Sequence, residues 1–88
     1  MRSQFYFTYV LLSLKDFKFY IGYTNDIERR FLEHENGMNV STAKRRPLVL
    51  IYYEAFLVKE DAMRREAYFK TTKGKVTLRQ MLRGYLKQ

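Results

Sequence analysis

Apolar residues run almost unbroken near the start of this chain and recur at helical spacing further on. Phe5 to Leu12 is a run of aromatic and branched residues that predicts a strand. Phe5, Phe7, Tyr9 and Leu11 share one face, and Tyr6, Thr8, Val10 and Leu12 the other. Both faces are mostly apolar, which predicts a strand covered on both sides. Ser13 to Lys18 is the turn, and Phe17 stands where a tight primed turn prefers glycine, so a looser loop or a bulge is expected. Phe19 to Thr24 returns as the second strand. If the loop holds an even number of residues, paired positions sum to an odd number, and Tyr9 and Tyr20 fall on the same sheet face; a single bulge would undo this.

Thr24 or Asn25 is a sound helix N-cap, with Asp26 and Glu28 in a first turn that favours acids. This helix runs to about Asn36, and Gly37 suits its C-terminal stop. Ile27 and Phe31 face the core. Arg30 and His34 form a neighbouring stripe, with Arg29 and Glu33 nearer solvent. Met38 to Arg46 reads as a polar loop before Pro47, and Leu48 to Phe56 as a third strand of nearly continuous apolar character. Lys59-Glu60-Asp61 opens a second helix whose inner seam is Ala62, Met63 and Phe69, with Gly74 ending that region. A last helix, about Val76 to Leu86, carries Leu78, Met81, Leu82, Tyr85 and Leu86 as an apolar stripe, and Arg79, Arg83 and Lys87 along another face. With no repeat, linker or low-complexity tract, residues 1–88 read as a single α/β domain.

Composition narrows the function. Seventeen Lys plus Arg against nine Asp plus Glu give a formal charge of +8 on 88 residues. So positive a surface suits nucleic acid phosphates or an anionic membrane. The absence of cysteine excludes disulfides, thiolate zinc sites and cysteine nucleophiles, and a single histidine excludes a His-rich metal site. No apolar run approaches the ~18 residues a membrane helix needs, and the N-terminus lacks a small-residue cleavage site. The expectation is a cytoplasmic protein without a membrane partner.

Glu66 falls four residues after Ala62 and three before Phe69, on or beside the buried face of its helix. An acid there needs compensation. An ion pair with Arg64, Arg65 or Lys70 would supply it, and so would a metal, since magnesium commonly takes one or two carboxylates and keeps several waters. Arg30 could hold a phosphate by two parallel bonds, and His34 could hold the same group or move a proton; as a plain helical stripe they would do neither. The run Lys44-Arg45-Arg46 and the stripe of Arg79 and Arg83 are either solvated charge or phosphate contacts that position a nucleic acid without reading its sequence.

Several of these residues together resemble the GIY-YIG endonuclease pattern. They are Tyr9 in its strand, Tyr20-Ile21-Gly22 eleven residues on, Arg30 ten after Tyr20, His34 four after Arg30, and Glu66 on a later helix. The wording Tyr23-Thr24-Asn25-Asp26, Arg29-Arg30, Tyr52-Tyr53-Glu54 and Lys59-Glu60-Asp61-Ala62 extends the likeness over nearly the whole chain, toward the small stand-alone bacterial members. The resemblance implies a three-stranded antiparallel sheet flanked by helices. It implies hydrolysis of nucleic acid, DNA ahead of RNA, with one Mg2+ or Mn2+, structure-directed in repair or recombination. It makes Glu66 the metal ligand, Tyr9 the general base or the orienter of the attacking water, and Arg30 the stabiliser of phosphate charge, with Tyr20 and His34 assisting. Two departures stand out: Phe7-Thr8-Tyr9 replaces Gly-Ile-Tyr, and no asparagine follows the glutamate helix. A protein partner or homo-oligomer would supply specificity in the absence of a second domain. The alternative is a non-catalytic nucleic-acid-binding module, or an interaction subunit, that retains the nuclease fold.

Overall fold

In a computed structural model that describes residues 4–88, the largely apolar first segment forms β1 (Tyr6–Ser13). β1 is the middle of a three-stranded sheet, between β2 (Phe19–Thr24) and β3 (Leu48–Phe56), antiparallel to both. Every residue from Thr8 to Ser13 is buried, as its two apolar faces predict. Phe5 falls just short of the strand and is exposed.

The hairpin loop between Ser13 and Lys18 holds four residues, and Ser13 N–H donates to the Lys18 carbonyl at 3.0 Å. An even loop gives the odd-sum register: Tyr9 pairs with Gly22 and Leu11 with Tyr20, so both tyrosines share a face. Phe17 closes the loop with φ at 58°, the strained region that the missing glycine would have occupied. On the other side, Tyr9 pairs with Tyr53 and Val10 with Tyr52, and a bulge between Val10 and Leu11 re-aligns Leu11 with Leu50. The bulge puts Ile51 and Tyr52 together against the Val10 face, leaving Leu50 and Leu48 for the Tyr9 face.

Helices cover both faces. Helix α1 (Ile27–Glu35) lays Ile27 and Phe31 against Tyr9, Leu11, Leu48 and Leu50. Its N-cap is Asp26, whose carboxylate accepts from Arg29 N–H at 3.1 Å, one position after Asn25 and two after Thr24, the two expected caps. Thr24 is engaged elsewhere: its hydroxyl oxygen accepts from Asp26 N–H and forms the turn that leads into the helix. Helices α2 (Lys59–Phe69) and α3 (Thr72–Met81) close the opposite face, where Val10, Ile21, Phe69 and Leu78 form an almost solvent-free cluster. Burying a side chain of this size stabilises the fold by roughly 1.5–3 kcal/mol.

Three expectations change here. Met63 is exposed rather than part of the α2 seam, since one residue beyond Ala62 is a turn of about 100° around the helix. Gly74 does not end a helix but lies buried in the first turn of α3, where any Cβ would run into the Tyr68 carbonyl. The last helix is two pieces, α3 and a short α4 (Arg83–Leu86), with a break at Leu82; the break divides the expected stripe of Arg79 and Arg83. The loop before β3 contains one 3-10 turn, Ala43–Arg45. No helix among the described residues is long and apolar enough to cross a membrane.

Candidate active site

Tyr9 points from the centre of β1 toward α1, and the register sets Gly22 directly beside it. A side chain at position 22 would fall on the hydroxyl end of the Tyr9 ring, so glycine is what lets the ring lie across β2. From α1, one turn apart, come Arg30 and His34. His34 is fully buried and held at both ring nitrogens: Nε2 lies 3.0 Å from the Tyr9 hydroxyl and Nδ1 2.7 Å from the Thr42 hydroxyl. Tyr20, on the same sheet face as Tyr9, packs its ring 5.0 Å from the His34 ring. Strand register and helical spacing thus bring four of the five predicted chemical residues to one side of the sheet.

The electrostatics follow from burial. Desolvation pushes the Tyr9 phenol up to about 12, against the opposing pull of the nearby Arg30 guanidinium. Burial, and then the Arg30 charge, hold His34 below its ordinary 6.5, so that the ring is neutral near pH 7. Glu33, and then the Tyr9 hydroxyl, favour the charged form of Arg30. Arg30 Nη1 donates to Glu33 at 3.1 Å in a part-exposed pair, with Glu33 toward the solvent side as the helical spacing predicts. Arg30 Nε is buried and finds no acceptor among the described residues.

Glu66 comes from a different element, α2. Helix α2 packs against the opposite face of the sheet, and Glu66 pairs with Lys70 Nζ at 3.0 Å, one of the ion pairs anticipated for it. Its charge still reaches Tyr9, as the smallest of the influences on that phenol. Among the described residues no three His, Cys, Asp or Glu side chains gather as a metal cluster. The donor set is therefore one carboxylate, which suits a hard cation only if water and substrate oxygens complete its shell.

The basic residues divide. Arg45 is tied into the fold, donating to the Phe19 carbonyl at 3.3 Å and lying 3.4 Å from the Asp16 carboxylate. Arg79 stacks its guanidinium 4.6 Å above the Phe19 ring, so the loop run and the last-helix stripe meet at that residue. Lys44, Arg46 and Arg83 are exposed; Arg46 bonds the Ala43 and Glu35 carbonyls, and Arg83 the Gln80 carbonyl. Thr8, the departure from Gly-Ile-Tyr, is accommodated by a buried bond from its hydroxyl to the Ala62 carbonyl at 2.7 Å, which ties β1 to α2. Thr42 was not foreseen as part of the site. It sits in a polar loop between Ser41 and Ala43, and only the folding of that loop under α1 gives it a partner.

The family model described as the GIY-YIG catalytic domain matches residues 5–80. The UPF0213 protein YazA of Bacillus subtilis is 42% identical over 71 residues, 80% of this chain and 71% of that protein. A UPF0213 protein of Bacillus pumilus is 41% identical over 64 residues, 72% of this chain; the match spans 65% of that relative's length. The solution NMR structure of a UPF0213 protein from Bacillus halodurans superposes with a TM-score of 0.55 at 35% identity, covering 88% of this chain and 84% of that one.

Proposed function

This chain belongs to the GIY-YIG family, and from that premise we propose that it is a metal-dependent endonuclease acting on nucleic acid, DNA ahead of RNA, with a structure-directed role in repair or recombination. The observation that carries this reading is the meeting of the Tyr9 hydroxyl, the neutral His34 ring and the Arg30 guanidinium, one of whose buried donors is unspent. The Arg30 side chain is 39% exposed, so the outer part of its guanidinium can be reached by a phosphate oxygen. Arg30 binds and orients the phosphate and offsets the negative charge that builds on it. Tyr9, as tyrosinate, takes a proton from the attacking water, or orients that water if the proton leaves otherwise. Glu66 holds a single Mg2+ or Mn2+, and the ion supplies further positive charge at the phosphate when bound. Lys44, Arg46, Arg79 and Arg83 contact the backbone of the nucleic acid, while Arg45 mainly braces the loop that presents them. A cytoplasmic location and a partner, or a second copy, that directs the choice of target complete the proposal.

A second reading, a binding module without cleavage, is favoured by one observation: the Glu66 carboxylate is already neutralised by Lys70. The test is to incubate the protein with labelled duplex, single-stranded and branched DNA, with and without magnesium, at several salt concentrations. Magnesium-dependent cutting is expected, with affinity that falls steeply as salt rises. Tight binding without cutting on every substrate would favour the module, and binding indifferent to salt would remove nucleic acid as the partner.

A further inference from the structure

Thr42, His34 and Tyr9 form a row in which each side chain is at most 1% exposed. The row has two links, Thr42 Oγ1 to His34 Nδ1 at 2.7 Å and His34 Nε2 to Tyr9 Oη at 3.0 Å. A neutral imidazole has one N–H and one bare nitrogen, so the two links must run in the same direction. Either Tyr9 donates to Nε2 and Nδ1–H donates to Thr42, or Thr42 donates to Nδ1 and Nε2–H donates to Tyr9.

Counting protons separates these arrangements. With Tyr9 as a phenol, the row holds three protons, one each on Thr42, His34 and Tyr9, and needs only two. With Tyr9 as tyrosinate it holds two, and every link is filled in one direction only: Thr42 to His34, and His34 to Tyr9. The opposite direction would set the bare lone pair of Nε2 against the phenolate oxygen. The phenol form also has a preference. If Nδ1–H pointed at Thr42, the surplus proton would sit on a hydroxyl sealed in the interior, with no other partner among the described residues. If Thr42 donates, the surplus proton sits on Tyr9, beside Arg30, where the substrate is proposed to bind.

We infer that Thr42 is a positioning residue: its hydroxyl fixes His34 with the proton on Nε2, so that His34 donates to Tyr9 and does not serve as its base. Tyr9 oxygen then receives His34 Nε2–H beside the Arg30 charge, so the row is matched in protons once Tyr9 ionises, a step that burial opposes and the Arg30 charge favours. The phenolic proton leaves to solvent, and the tyrosinate later recovers one from the attacking water. The charged or titratable groups around His34 are Tyr9 on β1, Tyr20 on β2, and Arg30 and Glu33 on α1. Burial and Arg30, which outweigh Glu33, keep the ring neutral as the row requires. The catalytic meaning of this arrangement rests on the nuclease reading, whereas the position of the ring proton does not.

The chain contains one histidine, so nitrogen-15 NMR of histidine-labelled protein reports this ring alone. Near pH 8, and without substrate, the wild type is expected to show a protonated Nε2 and a bare Nδ1. Thr42→Ser should keep that pattern. Thr42→Val should shift both nitrogens toward the mixture of tautomers of free imidazole, with cleavage about tenfold slower and the alkaline rise of its pH profile displaced upward. A wild-type proton on Nδ1 would overturn the inference even if Thr42→Val did not fold. Unchanged nitrogen shifts and an unchanged pH profile in folded Thr42→Val would overturn it too. A protein with the expected nitrogen pattern that cuts nothing would instead refute the nuclease reading, leaving Thr42 as the residue that sets the His34 tautomer.

Discussion

Tyr9 and Val10 are neighbours on β1, yet their side chains enter different surroundings. Val10 meets Ile21, Phe69 and Leu78, a cluster of hydrocarbon packing. Tyr9 enters a layer that also has apolar support, from Leu11, Ile27, Phe31 and Leu48, but its hydroxyl ends among Arg30, His34 and, through His34, Thr42. Charged groups on the Val10 face stay at the rim, where Arg65 clamps Glu54 at 2.8 Å and lies over the Phe69 ring, and the buried Thr8 hydroxyl is satisfied by the Ala62 carbonyl. The difference teaches how 88 residues can carry both a core and a site: one face is held by packing, so the other can afford buried polar groups.

Paired substitutions should break this comparison most sharply. Tyr9→Phe removes one oxygen and keeps the ring. Cleavage should fall by roughly 10²–10⁴-fold, while urea unfolding shows a loss of only about 1 kcal/mol. Leu78→Ala should do the reverse, costing about 2–5 kcal/mol through a cavity among Val10, Ile21 and Phe69, with cleavage per folded molecule unchanged. A Leu78→Ala protein that stayed stable but lost activity would mean that the packing around Phe69 also positions Glu66 on α2.

The glycines offer a smaller contrast. Gly22→Ala must displace the Tyr9 ring, with an expected cost of about 1–3 kcal/mol and a loss of activity. Gly84, in α4, has nothing within 4 Å of a new Cβ. Gly84→Ala should therefore be neutral or stabilising by about 0.4–1 kcal/mol. Equal effects at the two positions, read from thermal unfolding, would remove the steric account of Gly22.

The smallest effect is a pH dependence. His34 has a folded value below 6.5 because burial and Arg30 disfavour its charged form. The unfolded chain therefore takes up the proton first, and the contribution of neutral His34 to stability, complete above 6.5, is lost as pH falls below it toward the folded value. A His34→Gln variant should lack that part of the acid-side slope. Identical slopes in the two proteins would show that His34 titrates normally in the fold.

Much of this was legible in the residues. The bounds of β3 and the cover on both faces of β1 followed from runs of apolar residues, and the shared face of Tyr9 and Tyr20 followed from parity once the loop held an even number of residues, because a hairpin's register is a local property. Arg30 and His34 followed from helical spacing. What could not be read was tertiary. Thr42 gains its role from a loop folded beneath α1, 8 residues from His34. Gly74 looked like a helix stop because glycine usually is one, whereas here it permits α3 to approach the Tyr68 carbonyl. Asp26 displaced Thr24 as cap because Thr24 was spent on the turn before it. The pairing of Glu66 with Lys70 was one of several partners that the helix made available, and geometry alone could select it.

The most direct test of the account is Glu66→Ala compared with wild type in magnesium, with binding and cleavage measured on the same labelled duplex. The variant should bind within a few-fold of wild type and cut at background rate, since Glu66 is proposed to hold the ion and Arg30 and the surface cations to hold the nucleic acid. Cleavage at the wild-type rate by Glu66→Ala would contradict the assignment of the metal to this carboxylate, and with it the claim that Tyr9, Arg30 and Glu66 form one active site.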